Sequence, residues 1–314
     1  MGFIGKRLIT TLLTLFLVSL LSFAAFRVIP GDAALLALGV EAEEEQIAAL
    51  RREWGLDRSV AVQYGSWLVK FLTGNLGNST RFQGASISGM ILDRLPVTLN
   101  LALLSLFFIV LIALPCSLLG TKNEASPADR ILNTATAMTI SAPGFFLGVL
   151  FIWVFGLVFK LFVPGAYVGY RDDYGAFLGY LLFPALAVAL PNAGILVKFL
   201  RSSIFREFKS DYVRTARSKG SSRRRCLFRH VFKNACLPAL TLMGMILGEI
   251  FTGSIVIEQI FSIPGIGRLL LTAITSRDFL VMETLAVYTA LIVVLANTLV
   301  DIGIQIIDPR IRIK

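Results

Sequence analysis

Charged side chains are scarce in this chain. Only 16% of its 314 residues are Asp, Glu, Lys or Arg, whereas 56% are hydrophobic. Soluble globular domains carry about 25% charged residues, so this composition argues against an ordinary soluble domain. The scarcity of charge indicates instead a chain that is mostly embedded in a membrane.

Histidine and cysteine are also sparse. The single histidine, His230, argues against a His-built metal site or proton relay, and the three cysteines, Cys116, Cys226 and Cys236, show no paired spacing. We therefore expect free thiols and no disulfide. The sequence contains no G-x-x-x-x-G-K-[S/T] phosphate loop, no nucleophile–base pair and no metal-ligand cluster. It predicts no catalytic residue, no metal site and no cofactor in this chain.

Long apolar runs are abundant. A run of about 20 residues spans the hydrocarbon core of a bilayer, and backbone groups without water must pair within a helix. Proline at Pro143, Pro184 and Pro191 should kink or cap the helices that contain it. Six runs reach or nearly reach the required length: Leu8–Phe26, Leu95–Thr121, Ile131–Phe159, Tyr174–Val197, Ala235–Ile257 and Thr284–Ile307.

The distribution of basic residues predicts the orientation. With a cytoplasmic N-terminus, 19 of the 30 Lys and Arg residues lie inside, twelve of them between Lys198 and Lys233. Most of the others lie in or beside the long first loop, which the positive-inside rule discounts. We predict six spans with both termini cytoplasmic. The alternative, a secretory signal cleaved near Ser22-Phe23-Ala24, is disfavoured because the first apolar run exceeds a usual signal core.

The long outer loop, residues 30–94, carries two apolar stripes at helical spacing. One lies within Glu41–Trp54 and the other runs from Val60 to Phe71 through Tyr64 and Trp67. These stripes predict two short helices lying on the membrane surface or on the spans. A docking surface for an external partner is a compatible alternative.

A basic loop, residues 201–233, separates the fourth and fifth runs. Ser210 or Asp211 can cap a first helix that Gly220 ends, and Ser221 or Ser222 can cap a second helix. One face of the first helix carries Tyr212, Thr215, Ala216 and Lys219, and the small residues Ala216 and Gly220 would let another backbone approach. The loop could instead fix topology or bind anionic lipid. A nucleic-acid role is improbable because the stretch is short and tied to a bilayer.

Polar and small residues interrupt the fifth run. Gly244, Gly248 and Thr252 form a small face suited to close helix packing, either within this chain or against a second subunit. Glu249 is costly inside a bilayer and should face the protein interior or a water-filled path. It is a candidate pathway residue that contacts cationic cargo, with a neutral or paired packing role as the alternative.

Six motifs, in order along nearly the whole chain, resemble those of one family. They are RVIPGD (Arg27–Asp32), LRREWGLD (Leu50–Asp57), RLPVTLNLALLS (Arg94–Ser105), RTARSKGSSRRRCLFRHVFKNACLP (Arg214–Pro238), GSIVIEQIFSIPGIGRLL (Gly253–Leu270) and DPRIR (Asp308–Arg312). The family is the B-type inner-membrane permease of ABC importers for dipeptides, oligopeptides and nickel. Ala216, Gly220 and Leu237-Pro238 match its cytoplasmic loop motif. The Glu that opens this motif in many importers is absent, and Arg214-Thr215 stands there.

The resemblance implies an all-α membrane protein with the type I ABC importer permease fold. It implies six transmembrane helices, cytoplasmic N- and C-termini and a large first extracytoplasmic loop in a bacterial inner membrane. The corresponding division is an N-terminal helix at 1–29, the outer loop at 30–94, a five-helix core at 95–307 and a cytoplasmic tail at 308–314. The family commonly has a small residue where this chain has Glu249.

The resemblance also implies partners. They are a second, C-type permease, two cytoplasmic ATPases that hold ATP and Mg, an extracytoplasmic solute-binding protein and the lipid bilayer. Coupling to an ATPase would involve Asp211, Tyr212, Thr215, Ala216, Lys219 and Gly220. Peptides are the expected cargo, with nickel or another small solute as the alternative. An ion-coupled secondary transporter or channel is disfavoured because no internal repeat or chain of ionisable groups is evident. A membrane-embedded enzyme would need a catalytic constellation that the sequence lacks.

Overall fold

The computed structural model describes residues 3–28, 34–35, 43–79, 81–82, 84–119 and 127–307. Within these residues the chain is helical, and the only extended pairing is an isolated bridge between Asn78 and Ser86. The predicted tail at 308–314 and the motif residues 29–32 and 308–312 lie outside the described residues. The helices are α1 (Phe3–Val28), α2 (Glu44–Trp54), α3 (Val60–Thr73), α4 (Ile87–Leu119), α5 (Pro127–Ser141), α6 (Gly144–Val158), α7 (Tyr174–Phe208), α8 (Asp211–Ser218), α9 (Arg223–Ile260), α10 (Ile266–Ser276) and α11 (Phe279–Ile307).

Five helices are long and apolar enough to cross a membrane: α1, α4, α7, α9 and α11. Each coincides with a predicted run, which confirms an all-α, multi-span protein. The observed helices extend beyond the apolar runs. For example, α7 continues for eleven residues past Val197 and ends at Phe208, because a helix can project beyond the hydrocarbon core into water.

The third predicted run differs from a single straight helix. It consists of α5 and α6, whose axes meet at 99°, so the chain has six spans only if this bent pair counts as one. Pro143 lies at the break as the N-cap residue of α6, with φ −61° and ψ 141°. Proline donates no backbone hydrogen bond and disfavours the helical conformation of the residue before it, here Ala142. In contrast, α7 continues through Pro184 and Pro191.

The chain divides into two compact units, of which the first comprises Met1–Thr98 and Pro264–Val294. Its core joins the start of α4 to α10 and the start of α11, through the buried residues Ile87, Ile91, Ile266, Leu269, Ala273, Val281, Met282 and Leu285. The buried carboxylate of Asp278 organises this core. One of its oxygens accepts hydrogen bonds from the Ser79 hydroxyl at 2.5 Å and the Arg81 N–H at 3.3 Å, while the other accepts from the Val281 N–H at 3.3 Å.

The first unit also shows where one predicted outer helix lies. The Tyr64 hydroxyl of α3 is 2.8 Å from the Ser19 hydroxyl of α1, and its ring packs edge-on against Phe16 and Phe23. Trp67, one turn along α3, also contacts Phe23. The prediction of a short helix lying on a span is therefore confirmed for α3.

The second unit comprises Leu99–Ile263 and Leu295–Lys314 and is built around α7. Two thirds of the residues in the most apolar part of α7 are buried, because α5, α6 and α9 pack against this helix. A Cβ atom at Gly194 would lie 2.6 Å from the Thr139 hydroxyl oxygen, so only glycine allows α5 to approach this closely. The Tyr180 hydroxyl donates to the Phe261 carbonyl at 2.6 Å and accepts from the Gly165 N–H at 2.9 Å, which fixes a loop onto α7.

A candidate coupling helix between two long helices

The helix α8 is a short connector between the ends of α7 and α9. Only Lys209 and Ser210 separate it from α7, and both continue the helical hydrogen bonding of α7. The Lys209 N–H donates to the Arg206 carbonyl and the Ser210 N–H to the Glu207 carbonyl, each at 3.1 Å. The hydrogen-bonded backbone is therefore nearly continuous from α7 to the start of α8.

The start of α8 lies at the predicted position, with Ser210 as its N-cap residue, but the side chain of Ser210 does not form a capping hydrogen bond. Ser210 is the N-cap residue, and its carbonyl accepts from the N–H groups of Val213 and Arg214, both at 3.2 Å. Its hydroxyl does not accept from the helix and instead donates to the Glu207 carbonyl at 2.6 Å. Asp211 is the first helical residue and pairs with Arg214 at 3.3 Å, an exposed pair of little energetic weight.

The end of α8 matches the prediction. Gly220 has φ +82°, its N–H donates to the Arg217 carbonyl at 2.9 Å, and the Ser221 N–H donates to the Ala216 carbonyl at 3.1 Å. No atom lies within 4 Å of where a Cβ at Gly220 would be, so backbone conformation alone favours glycine here. Ser222 caps α9, because its hydroxyl accepts from the Arg225 N–H at 3.4 Å.

Burial divides the residues of α8 into two faces. Val213 is completely buried and Ala216 is half-buried, whereas Asp211, Tyr212, Thr215, Lys219 and Gly220 are exposed. Val213 is not among the residues predicted for the coupling role, although it is the only branched aliphatic residue in the helix. This helix is thus attached to the protein by one apolar side chain and presents most of the predicted coupling residues outward.

Tyr212 provides a polar attachment of α8 to α7. Its hydroxyl donates to the Glu207 carboxylate at 2.5 Å. Although Tyr212 is largely exposed, partial burial of its phenol, assisted by this hydrogen bond, raises the pKa of Tyr212 above its usual value of 10.0. The phenol therefore stays protonated at neutral pH and keeps its donor role. The guanidinium groups of Arg217 and Arg223 also lie over the Phe208 ring, 6.0 and 5.4 Å from its centroid.

The exposed surface around α8 is strongly cationic. Between Arg214 and Arg225 the exposed basic residues are Arg214, Arg217, Lys219, Arg223, Arg224 and Arg225. A cationic helix of this kind suits an acidic groove on a protein partner or an anionic membrane surface.

The small face of α9 is divided between packing and exposure. Gly244 is buried, and a Cβ atom there would lie 3.5 Å from the Asn297 side-chain oxygen and from Val300, both on α11. Gly248 is half-exposed, and the exposed Thr252 donates its hydroxyl to the Gly248 carbonyl at 3.1 Å. Gly244 therefore packs closely within the chain, whereas Gly248 and Thr252 lie at least partly on the surface.

Glu249 lies on an exposed face of α9. Met245, Thr252 and Val256 are exposed on the same side, at helical positions i−4, i+3 and i+7. A carboxylate at this depth is costly against lipid, so this face suits a second subunit or a water-filled path.

These elements define the class of the protein: a multi-pass helical membrane subunit with an exposed connector helix and, within the described residues, no metal-ligand cluster. The chain belongs to the family described as the binding-protein-dependent transport system inner membrane component, whose model matches residues 109–313. The model of the N-terminal part of such membrane components matches residues 1–102. The protein is thus the inner-membrane permease subunit of a bacterial ABC importer.

Curated relatives align over almost the whole chain. A putative peptide transport system permease protein of Brucella abortus is 35% identical over 307 residues, which cover 98% of each chain. A probable peptide ABC transporter permease protein of Sinorhizobium fredii is 32% identical over 310 residues, 99% of each chain. The oligopeptide transport system permease protein AppB of Bacillus subtilis is 31% identical over 313 residues, also 99% of each chain.

Proposed function

We propose that this chain forms one half of the translocation pathway of an ATP-driven peptide importer. The other half is a second, C-type permease. Two cytoplasmic ATPases bind ATP and Mg and hydrolyse the ATP. A solute-binding protein delivers cargo from outside, and both termini of this chain are cytoplasmic. Support for peptide cargo comes from the relatives, which are named as peptide permeases at 31–35% identity over nearly their whole length.

The helix α8 is proposed to lie in a groove of one ATPase. The observation that supports this role is that α8 exposes most of its side chains and is nevertheless anchored to the rest of the protein. Tyr212, Thr215 and Lys219 are exposed, while Val213 is completely buried and the Tyr212 hydroxyl is bonded to Glu207. Such a helix can be held by a partner and still transmit force.

Closure of the ATPases would displace α8 and, with it, the two long helices to which it is joined. Only two residues connect α8 to α7, and α7 is the helix on which α5, α6 and α9 pack. A push on α8 would therefore reorient a packed body rather than a flexible loop. This is the rigid-body type of switch expected for alternating access.

The pathway is proposed to pass the exposed face of α9 that carries Glu249. In an assembled transporter this face would border the second permease or the water-filled path, because lipid would strongly disfavour the carboxylate. A carboxylate there could contact the ammonium group of a peptide. Nickel or another small solute remains the alternative cargo, since selection belongs to the solute-binding protein.

The coupling role can be tested by adding bulk to the exposed face of α8. Thr215→Trp should reduce the amount of ATPase that co-purifies with the permease and abolish ATP-dependent uptake in proteoliposomes. Thr272→Trp on α10 is a matched control. Both threonines are exposed, and each donates its hydroxyl to the carbonyl four residues earlier, at 3.0 and 2.8 Å respectively. Normal ATPase recovery and uptake with Thr215→Trp would refute the docking role of α8.

A further inference from the structure

A cavity of about 870 Å³ opens between α5 and the last turns of α7. This volume falls within the range of about 300–1,000 Å³ that is typical of small-molecule sites. The residues that line it are Asp129, Asn133, Thr136, Ala137 and Ile140 of α5, Val197, Lys198, Arg201, Ser202, Phe205 and Arg206 of α7, and Lys209 just after α7. The lining residues of α5 were not singled out by the sequence patterns, those from Arg201 to Lys209 lie at the start of the basic loop (residues 201–233), and none belongs to the candidate coupling helix.

The cavity has an excess of positive charge. Its one acidic residue, Asp129, forms a buried ion pair with Arg201, which also donates to the Asn133 side-chain oxygen at 2.7 Å. Lys198, Arg206 and Lys209 remain, all exposed, and they form no ion pair with any residue in the described part of the chain. Exposed cations with no acidic partner among the described residues favour an anionic ligand.

The cavity also has an apolar end, and the two ends are ordered along α7. Asp129 contacts Arg201, whereas Ile140 lies close to Gly194, so α5 runs antiparallel to α7. The apolar wall formed by Ala137, Ile140 and Val197 therefore faces the middle of the α7 span. Arg206 and Lys209 lie at the end of α7, about 12 and 16 Å beyond Lys198 at 1.5 Å per residue, whereas Lys198 lies beside the apolar wall.

This arrangement is that of an amphiphile site. We propose that the cavity binds the phosphate group of an anionic ligand and that its source is a phospholipid of the cytoplasmic leaflet. The phosphate would lie against Arg206 and Lys209, and one acyl chain would follow Ala137 and Ile140. Basic pockets between spans at the cytoplasmic surface are suited to such headgroups. The leaflet assignment rests on the proposed orientation of the chain, whereas the phosphate chemistry does not.

The direct test is lipid binding to the purified transporter complex in neutral detergent, followed by native mass spectrometry. Dioleoylphosphatidylglycerol and dioleoylphosphatidylcholine would be titrated separately into the delipidated complex. The wild type should bind the anionic lipid more tightly. The double substitution Arg206→Gln/Lys209→Gln should weaken that binding about 30-fold, because each basic residue near an anionic lipid contributes about 1 kcal/mol.

The control removes the same charge outside the cavity. Lys160→Gln/Arg171→Gln, in the exposed loop between α6 and α7, should leave the lipid affinities unchanged. Equal affinities of the wild type for both lipids, or an Arg206→Gln/Lys209→Gln variant that retains the preference, would overturn the proposal. Displacement of the anionic lipid by sn-glycerol 3-phosphate at comparable affinity would support the phosphate site but assign it to a soluble ligand. The readout needs no transport, so it is independent of the proposed cargo and coupling.

Discussion

Val213 offers the sharpest test of how α8 is attached. An isolated helix of eight residues is not stable in water, so α8 depends on its contacts with the rest of the protein. Val213 is its only completely buried side chain. Replacing it with alanine removes two methyl groups from a buried site. At about 0.8 kcal/mol per methyl group plus a small cavity term, the cost is about 2 kcal/mol.

A cost of this size raises the undocked fraction of α8 about 30-fold, since 1.4 kcal/mol corresponds to a factor of ten. Hydrogen exchange should detect it as a similar acceleration of the backbone amides of α8. Uptake should fall in parallel, while the spans remain inserted. The control is Arg214→Ala, which removes the exposed pair with Asp211 and should change exchange less than about threefold. Unchanged exchange and uptake in Val213→Ala would refute this account of the attachment.

Three further substitutions test other parts of the structure. Gly220→Val should lower uptake in a transport assay, because a β-branched residue is strained at φ +82°. In the same assay Gly220→Asn should retain most of the uptake, because asparagine tolerates a positive φ. Glu249→Gln should reduce uptake of peptides without impairing assembly, and unchanged uptake would exclude its pathway role. Asp278→Asn should lower the thermal unfolding midpoint, because its amide NH₂ would face a backbone N–H donor in either orientation, that of Arg81 or that of Val281, at a cost of about 1–3 kcal/mol. Ser79→Ala should cost less, and a larger shift for Ser79→Ala than for Asp278→Asn would contradict this explanation.

Features that depend on local chemistry could be predicted from the sequence. The apolar runs predicted the long helices, and the turn chemistry of Gly220 and of the pair Ser221-Ser222 predicted where α8 ends and α9 begins. The 99° bend could not be predicted from apolarity, because a run such as Ile131–Phe159 is equally apolar whether it is straight or broken at Pro143. Proline alone does not decide this, since α7 continues through Pro184 and Pro191.

Features that depend on distant parts of the chain could not be predicted. Ser79 and Asp278 are 199 residues apart in sequence, and Asp129 and Arg201 are 72 apart. No spacing rule joins such pairs, and only packing of the spans brings them together. The same holds for the candidate coupling residues. Their exposure follows from the burial of Val213, which fixes the face of α8 that is turned toward the protein.

The central claim is that α8 is held by a cytoplasmic ATPase. Cysteine cross-linking in intact membranes tests it most directly, with Thr215→Cys on the exposed face of α8 and Arg171→Cys in the loop before α7 as the comparison. The account predicts a cross-link from position 215 to the ATPase whose yield changes with ATP, and no such product from position 171. Absence of the product at position 215, or labelling of that cysteine by an impermeant reagent added from outside the cell, would contradict it.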